Sequence, residues 1–111
     1  MNYALSYDDI LLVPKYSDIE SREQVDLSSE LHCGRVLSVP IISAPMDTVT
    51  ENEMANAIDA VGGLGVIHRY NSIEKQVELA KSVPNAACAI GATGDYLERA
   101  QALYVDANCD Y

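Results

Sequence analysis

From Val39 onward one alternation repeats: a short apolar run, a polar turn, then a stretch with helical spacing. Val39-Pro40-Ile41-Ile42-Ser43 is apolar and β-branched, the composition of a fully buried strand. Ala44-Pro45-Met46-Asp47-Thr48 reads as a turn with a methionine and a carboxylate at its tip. The spacing then predicts a helix over Glu51–Val61, with Thr50 placed to cap it and Glu51 and Glu53 at the positive end of the helix dipole. Met54, Ile58 and Val61 share a face with Ala55 beside them, and Gly62-Gly63 ends the helix. A second unit follows. Leu64-Gly65-Val66-Ile67 is a buried-strand pattern running into His68-Arg69-Tyr70. Ser72 then caps a helix in which Ile73, Val77 and Ala80 share a face, Val83 closes it and Pro84 stops it. In the third unit, Ala86–Ile90 is a strand and Gly91-Ala92-Thr93-Gly94 a tight loop. Asp95–Val105 is its helix, with Tyr96, Ala100 and Leu103 on one face and Leu97 and Tyr104 next to it. A fourth strand is expected to start within the last residues, Ala107–Tyr111.

The first part of the chain has no such period. Ile10-Leu11-Leu12-Val13, stopped by Pro14, predicts a short strand and turn covering one end of a core. Ser17–Val36 reads as extended with turns, one of them at Cys33-Gly34-Arg35. Strand starts roughly 20–25 residues apart match a parallel α/β repeat, which needs a helical crossover between strands. Spacing alone does not separate a barrel from an open sheet. No G-x-G-x-x-G follows the first strand, which argues against a dinucleotide-binding fold of the common type. In parallel α/β proteins ligands bind outside the carboxyl ends of the strands. That puts the loop after Ser43, the loop after Ile67 and the Gly91–Gly94 loop on the ligand side. Gly62, Gly63 and Gly65 fall between helix and strand, at the other end, where helix termination accounts for them.

Composition narrows the partners. The chain has 111 residues, enough for one small domain, and 49% of them are hydrophobic, as in globular chains. Seven Lys and Arg against 17 Asp and Glu give a net charge of −10. Such a chain is a poor binder of nucleic acid or anionic membrane, although a local nucleotide site stays open. Neither a signal peptide nor a transmembrane run is visible, so a cytoplasmic protein is expected. Cys33, Cys88 and Cys109 are odd in number and lack metal-ligand spacing. They are read as reduced, buried small hydrophobes, and none is assigned as a nucleophile.

Several ordered motifs together resemble one family along essentially the whole chain. They are Tyr7-Asp8-Asp9-Ile10-Leu11-Leu12-Val13-Pro14, Ser21-Arg22 followed by Val25-Asp26-Leu27-Ser28, Pro40–Glu51, Gly62–Arg69, and Ala89-Ile90-Gly91-Ala92 with Asp95–Ala102. The chain resembles the N-terminal part of the IMP dehydrogenase/GMP reductase catalytic domain. The resemblance implies an α/β fold, the N-terminal portion of a (β/α)8 TIM barrel, of which this chain supplies about three βα units; a complete barrel needs about 250 residues. Residues 1–38 would be an N-terminal extended segment and residues 39–111 the first three units, with no CBS insert. It further implies a purine nucleoside monophosphate as substrate, NAD or NADP as cofactor and a homo-tetrameric complete enzyme. A monovalent cation is possible in that enzyme, with no ligands in this segment. In the family a cysteine on a later loop attacks C2 of the purine, and hydride then moves to or from the nicotinamide. That loop lies beyond Tyr111, so no catalytic residue is assigned here and the chain alone is expected to be inactive.

By the same resemblance Met46 packs against the nucleotide base, for which a polarizable, unbranched side chain is suited. Ser43, Ala44 and Asp47 accompany it as substrate-binding positions. Asp47 serves equally well as a turn aspartate. Ser21 and Arg22 match the pair with which GMP reductases contact NADP, and Arg69 stands where those enzymes carry a lysine of the same role; an arginine there can pair a phosphate bidentately. A solvated surface arginine is the competing reading of Arg22. His68 is read as a hydrogen-bonded structural histidine. The Ser43–Glu51 wording favours IMP dehydrogenase, oxidising IMP to XMP with NAD. Ser21-Arg22 and the direct passage from the second helix to the third strand favour GMP reductase, which converts GMP to IMP and ammonia with NADPH. A truncated, non-catalytic product is the reading outside enzymology.

Overall fold

The computed structural model describes residues 2–109. Its centre is a three-stranded parallel sheet in sequence order. Strands β1 (Ser29–Glu30) and β2 (Val36–Leu37) form a separate hairpin, and the sheet consists of β3 (Ile42–Ser43), β4 (Leu64–Ile67) and β5 (Ala87–Cys88). Ile42 pairs with Leu64 and Ser43 with Gly65; Val66 pairs with Ala87 and Ile67 with Cys88. Helices α1 (Asn52–Ala60), α2 (Ile73–Lys81) and α3 (Tyr96–Ala107) follow the three sheet strands in turn. The result is three βα units with open sheet edges and no closed barrel.

Alternation along β4 separates two buried clusters. Ile67 packs with Ala55, Val77, Ala80, Val83 and Leu103 in the layer between sheet and helices. Leu64 and Ala87, the first residues of β4 and β5, pack with Leu37 in the second cluster. Leu37 comes from the hairpin, whose turn uses Gly34 at φ 82°. The hairpin therefore closes the end of the sheet where the strands begin. Arg35 fastens it there, donating to the Asn85 carbonyl at 2.9 Å and to Asp59 at 3.0 Å. Ile10–Val13 does not do this job and forms no strand. Leu11 and Leu12 are each 95% exposed, and among the described residues no hydrogen bond or ion pair joins 2–28 to the rest. The extended segment raises the radius of gyration to 17.6 Å, against about 13 Å for a compact chain of this length.

The helix ends follow their sequence signals closely. Gly62, at φ 88°, and Gly63 donate back to the Asp59 and Ile58 carbonyls and close α1. Ser72 caps α2 by accepting the Lys75 N–H. Three expectations need correction. Thr50 does not cap α1: the cap residue is Glu51, with no side-chain cap bond, because the Thr50 side chain turns back into the preceding loop. The buried face of α1 carries Ala55, while Met54 and Val61 are exposed on its flank. The run Val39–Ser43 is not fully buried either. It is an edge strand, so Ile41 and Ile42 are half exposed and only Ser43 is buried. Helix α3 continues to Ala107 and ends at Asn108 in the left-handed conformation. A fourth strand would begin only after that point, and Asp110 and Tyr111 lie outside the described residues.

Gly65 sets the distance between β4 and α1. A Cβ at this position would stand 2.5 Å from the Ala55 Cα, so only a hydrogen side chain lets helix and strand meet. Gly65→Ala is expected to destabilise the chain by about 1–3 kcal/mol, the usual cost of overpacking a core. Chemical denaturation checks this, and an unchanged midpoint would contradict it.

Candidate functional site

Three loops leave the carboxyl ends of the strands. The first, residues 44–50, is closed on itself by Thr50, which is fully buried. The Met46 and Val49 amides donate to the Ala44 and Met46 carbonyls, and the Thr50 amide also donates to Met46, at 3.0 Å. The Thr50 hydroxyl lies 2.6 Å from the Ala44 carbonyl and 2.8 Å from Ser43 Oγ. A carbonyl can only accept, so Thr50 gives it its one proton, and the Ser43 hydroxyl supplies the proton of the other contact. Ser43 and Ala44 thereby form the base of the loop. Met46 stands on its outside, half exposed. Asp47 is exposed and lines a cleft of about 590 Å³ with Glu51, Glu53, Met54 and Ala57. That cleft runs along the flank of α1, and none of Ser43, Ala44 or Met46 lines it.

The second loop begins at His68, which is buried. Its Nδ1 accepts the Tyr70 N–H at 3.1 Å, so the ring proton sits on Nε2 and is donated to Glu51 Oε1 at 2.9 Å. The His68 amide faces the Thr50 carbonyl at 3.4 Å. Arg69 is exposed, its guanidinium 5.5 Å from the centre of the Tyr70 ring. It also lies beside the third loop: a Cβ on Gly91 would come within 3.4 Å of Arg69 Nη1. A cation next to a glycine loop at strand ends is an arrangement that accommodates a phosphate. Ser21 and Arg22 are not brought to this cluster by any bond. They begin a 3-10 turn, Arg22–Gln24, in the exposed segment, where Ser21 Oγ accepts the Glu23 N–H.

Beneath the loops lies a polar network. The Gln76 amide, fully buried on α2, donates to the Ala89 and His68 carbonyls at 2.9 and 3.0 Å and approaches that of Ile67 at 3.4 Å. Its oxygen accepts from Arg99 Nη1 at 2.9 Å, and Arg99 Nη2 reaches Asp95 at 2.7 Å and the Asn71 carbonyl at 3.0 Å. Gln76 and Arg99 are site-supporting residues that the patterning did not single out. Their signal was present: each is a polar residue inside an apolar stripe, Gln76 between Ile73 and Ala80, Arg99 between Tyr96 and Leu103.

The cysteines are not arranged for nucleophilic attack. Cys33 is exposed near the hairpin turn, contrary to its expected burial. Cys109 is buried and donates to the Ala86 carbonyl at 3.1 Å. Its hydrogen bond with Cys88, together with burial, pushes the Cys88 thiol far above its ordinary range, the opposite of activation.

Three successive parallel βα units with loops at the carboxyl ends of the strands define the class, a parallel α/β domain, as in a fragment of a TIM barrel. The profile of the "IMP dehydrogenase / GMP reductase domain" matches residues 4–111. The inosine-5'-monophosphate dehydrogenase of Nitrosopumilus maritimus is 53% identical over 72 residues, 65% of this chain and 15% of that one. That of Staphylococcus aureus strain MW2 is 40% identical over 101 residues, 91% of this chain and 20% of that one. The crystal structure of inosine 5' monophosphate dehydrogenase from Legionella pneumophila superposes with a TM-score of 0.81 at 40% identity, over 97% of this chain and 34% of that chain. The chain belongs to the IMP dehydrogenase/GMP reductase family. It spans about 15–20% of the length of the curated relatives described here.

The Arg99 hydrogen bond holds the Asp95 carboxyl below the usual carboxylate range. The pair therefore adds stability in full above the unfolded value of about 3.9, and loses it as the pH falls through the lower folded value. Asp95→Asn is expected to melt earlier than the parent at neutral pH, modestly because Asp95 is half exposed. The gap should close as the pH drops well below 4. Paired thermal melts across that range check the sign.

Proposed function

We propose that this chain supplies the first three βα units of an oxidoreductase that acts on a purine nucleoside monophosphate, with IMP oxidation to XMP as the reaction. The observation that carries this reading is Met46, a half-exposed methionine fixed by a self-closed loop past the carboxyl end of a strand. An apolar, polarizable side chain held at that place offers a flat base one face to stack on. Ser43 and Ala44 anchor the loop under it, and Asp47 shapes its far side. The relatives named above are all inosine-5'-monophosphate dehydrogenases, which supports the dehydrogenase direction. GMP reductase is the second reading, favoured by Ser21-Arg22 and by the short passage from α2 into β5 with no inserted CBS module.

Residues 1–38 act in this reading as an N-terminal segment and residues 39–111 as the barrel units. The reaction needs a hydride partner, which NAD, or NADP in the reductase direction, supplies when bound. Arg69 beside Gly91 is the group that suits a cofactor phosphate, and Ser21 and Arg22 contribute only if the N-terminal segment folds over. The complete enzyme is a cytoplasmic homo-tetramer in this proposal. Among the described residues no helix is long and apolar enough to cross a membrane.

The 111-residue chain by itself is expected to give no NADH from IMP and no NADPH loss with GMP, because no cysteine stands in its ligand-side loops. The positive test replaces the matching segment of the Legionella pneumophila relative with residues 1–111. The hybrid should form NADH from IMP; a folded hybrid without turnover would overturn the reading. In the hybrid, Met46→Ala should weaken nucleotide binding by roughly 10- to 200-fold with less effect on the cofactor. Met54→Ala, on the exposed flank of α1, is the control and should leave both nearly unchanged.

A further inference from the structure

We propose that His68 is a positioning residue that locks the Met46 loop to the loop carrying Arg69, so that the two ligand-side loops move as one body. Besides its carbonyl, which accepts from Gln76, three of its polar groups reach the two loops. The amide meets the Thr50 carbonyl, the last carbonyl of the Met46 loop. Nε2–H donates to Glu51, the cap residue where that loop becomes α1. Nδ1 accepts the amide of Tyr70, whose ring carries the Arg69 guanidinium and lies nearly parallel to the His68 ring, 6.2 Å away. The ring is buried, and this set of partners uses both nitrogens in a single tautomer. Removing the acceptor at Nε2 removes one of the two partners that hold the proton there, leaving only the Tyr70 N–H at Nδ1 to fix the tautomer. A proton on Nδ1 would face the Tyr70 N–H, donor against donor. A change at Glu51 is therefore transmitted to Tyr70 through the ring.

The inference rests on the proposed roles of Met46 and Arg69 for its functional meaning, yet its test needs no nucleotide. The full chain is compared as parent, Glu51→Ala and Glu51→Gln by amide hydrogen exchange and imidazole ¹⁵N NMR. Glu51 is half exposed, so its replacement leaves no core cavity. In Glu51→Ala, the Tyr70 amide should exchange roughly tenfold faster, as expected for loss of one hydrogen bond. The His68 resonance should leave its single-tautomer position, with exposed His32 as internal reference. Glu51→Gln keeps an acceptor oxygen and should restore both signals. The Ala89 amide, bonded to the Ile67 carbonyl in the neighbouring strand, should keep its protection throughout. Unchanged Tyr70 exchange in Glu51→Ala would overturn the proposal. So would no rescue by glutamine, or a loss of protection that extends to Ala89, which would make the contact an ordinary fold contact. If the lock holds and Met46→Ala leaves nucleotide binding intact in the hybrid enzyme, the Met46 reading fails and the coupling stands.

Discussion

Backbone carbonyls at the carboxyl end of a parallel sheet run out of strand to pair with just where the loops that follow begin to cover them. Leaving such a group without a donor costs about 1–3 kcal/mol each. This constraint organises the whole ligand side of the molecule. One side chain, Gln76, donates its amide to the carbonyls of His68 and Ala89, past the ends of two neighbouring strands, and approaches that of Ile67, which already accepts the Ala89 N–H. Thr50 adds its hydroxyl to the Ala44 carbonyl just past β3, which also accepts the Met46 N–H. Gln76 in turn leaves its oxygen to Arg99, which fixes α3 to the same layer. These strand-end carbonyls thus meet donors that come from α2 or from the loop's own end, and the outer surface of the loops is left clear of those bonds.

This arrangement explains which parts of the molecule were legible in its sequence. Strand and helix order followed from periodicity and from Gly62, Ser72 and Pro84, because those signals act locally. The Val39–Ser43 run misled about burial: a β-branched composition says that a residue can be buried on both faces, whereas Ile41 and Ile42 lie on an open edge. Thr50 misled in another way. A capping Ser or Thr turns its oxygen to the helix to accept an N–H, but here the Thr50 hydroxyl points into the preceding loop, donating to the Ala44 carbonyl and accepting from Ser43. Such a choice depends on how the chain folds back, which no local window contains. Gln76 and Arg99 were visible as polar breaks in apolar stripes, but their partners come from other units of the repeat.

The N-terminal segment illustrates the same limit. Ile10–Val13 has the composition of a covering strand, and the resemblance to the family runs through it. The cover over the strand starts is nevertheless made by Leu37 and the hairpin that carries it. Apolar composition marks a need for burial without naming the surface that meets it. Leu11 and Leu12 remain exposed, and the three-stranded sheet keeps two open edges. Ser21 and Arg22, on the same segment, make their described bonds within their own 3-10 turn.

Rigidity at the site follows from where its bonds end. The Met46 loop makes its own internal bonds and is joined to the fold at Ser43, Thr50 and Glu51; two of these, Thr50 and Glu51, meet His68. A loop built this way can present a methionine to a base without needing the base to order it, which avoids the entropic cost of ordering a segment on binding. Arg69 differs. Its guanidinium is exposed and rests on the Tyr70 ring, so its charge can adjust by rotation while its backbone stays fixed through Tyr70 and His68. Under the proposed function, the rigid apolar contact would meet the flat ring of a nucleotide and the adjustable cation the phosphate of a cofactor, and the buried imidazole lies between the loops that carry them.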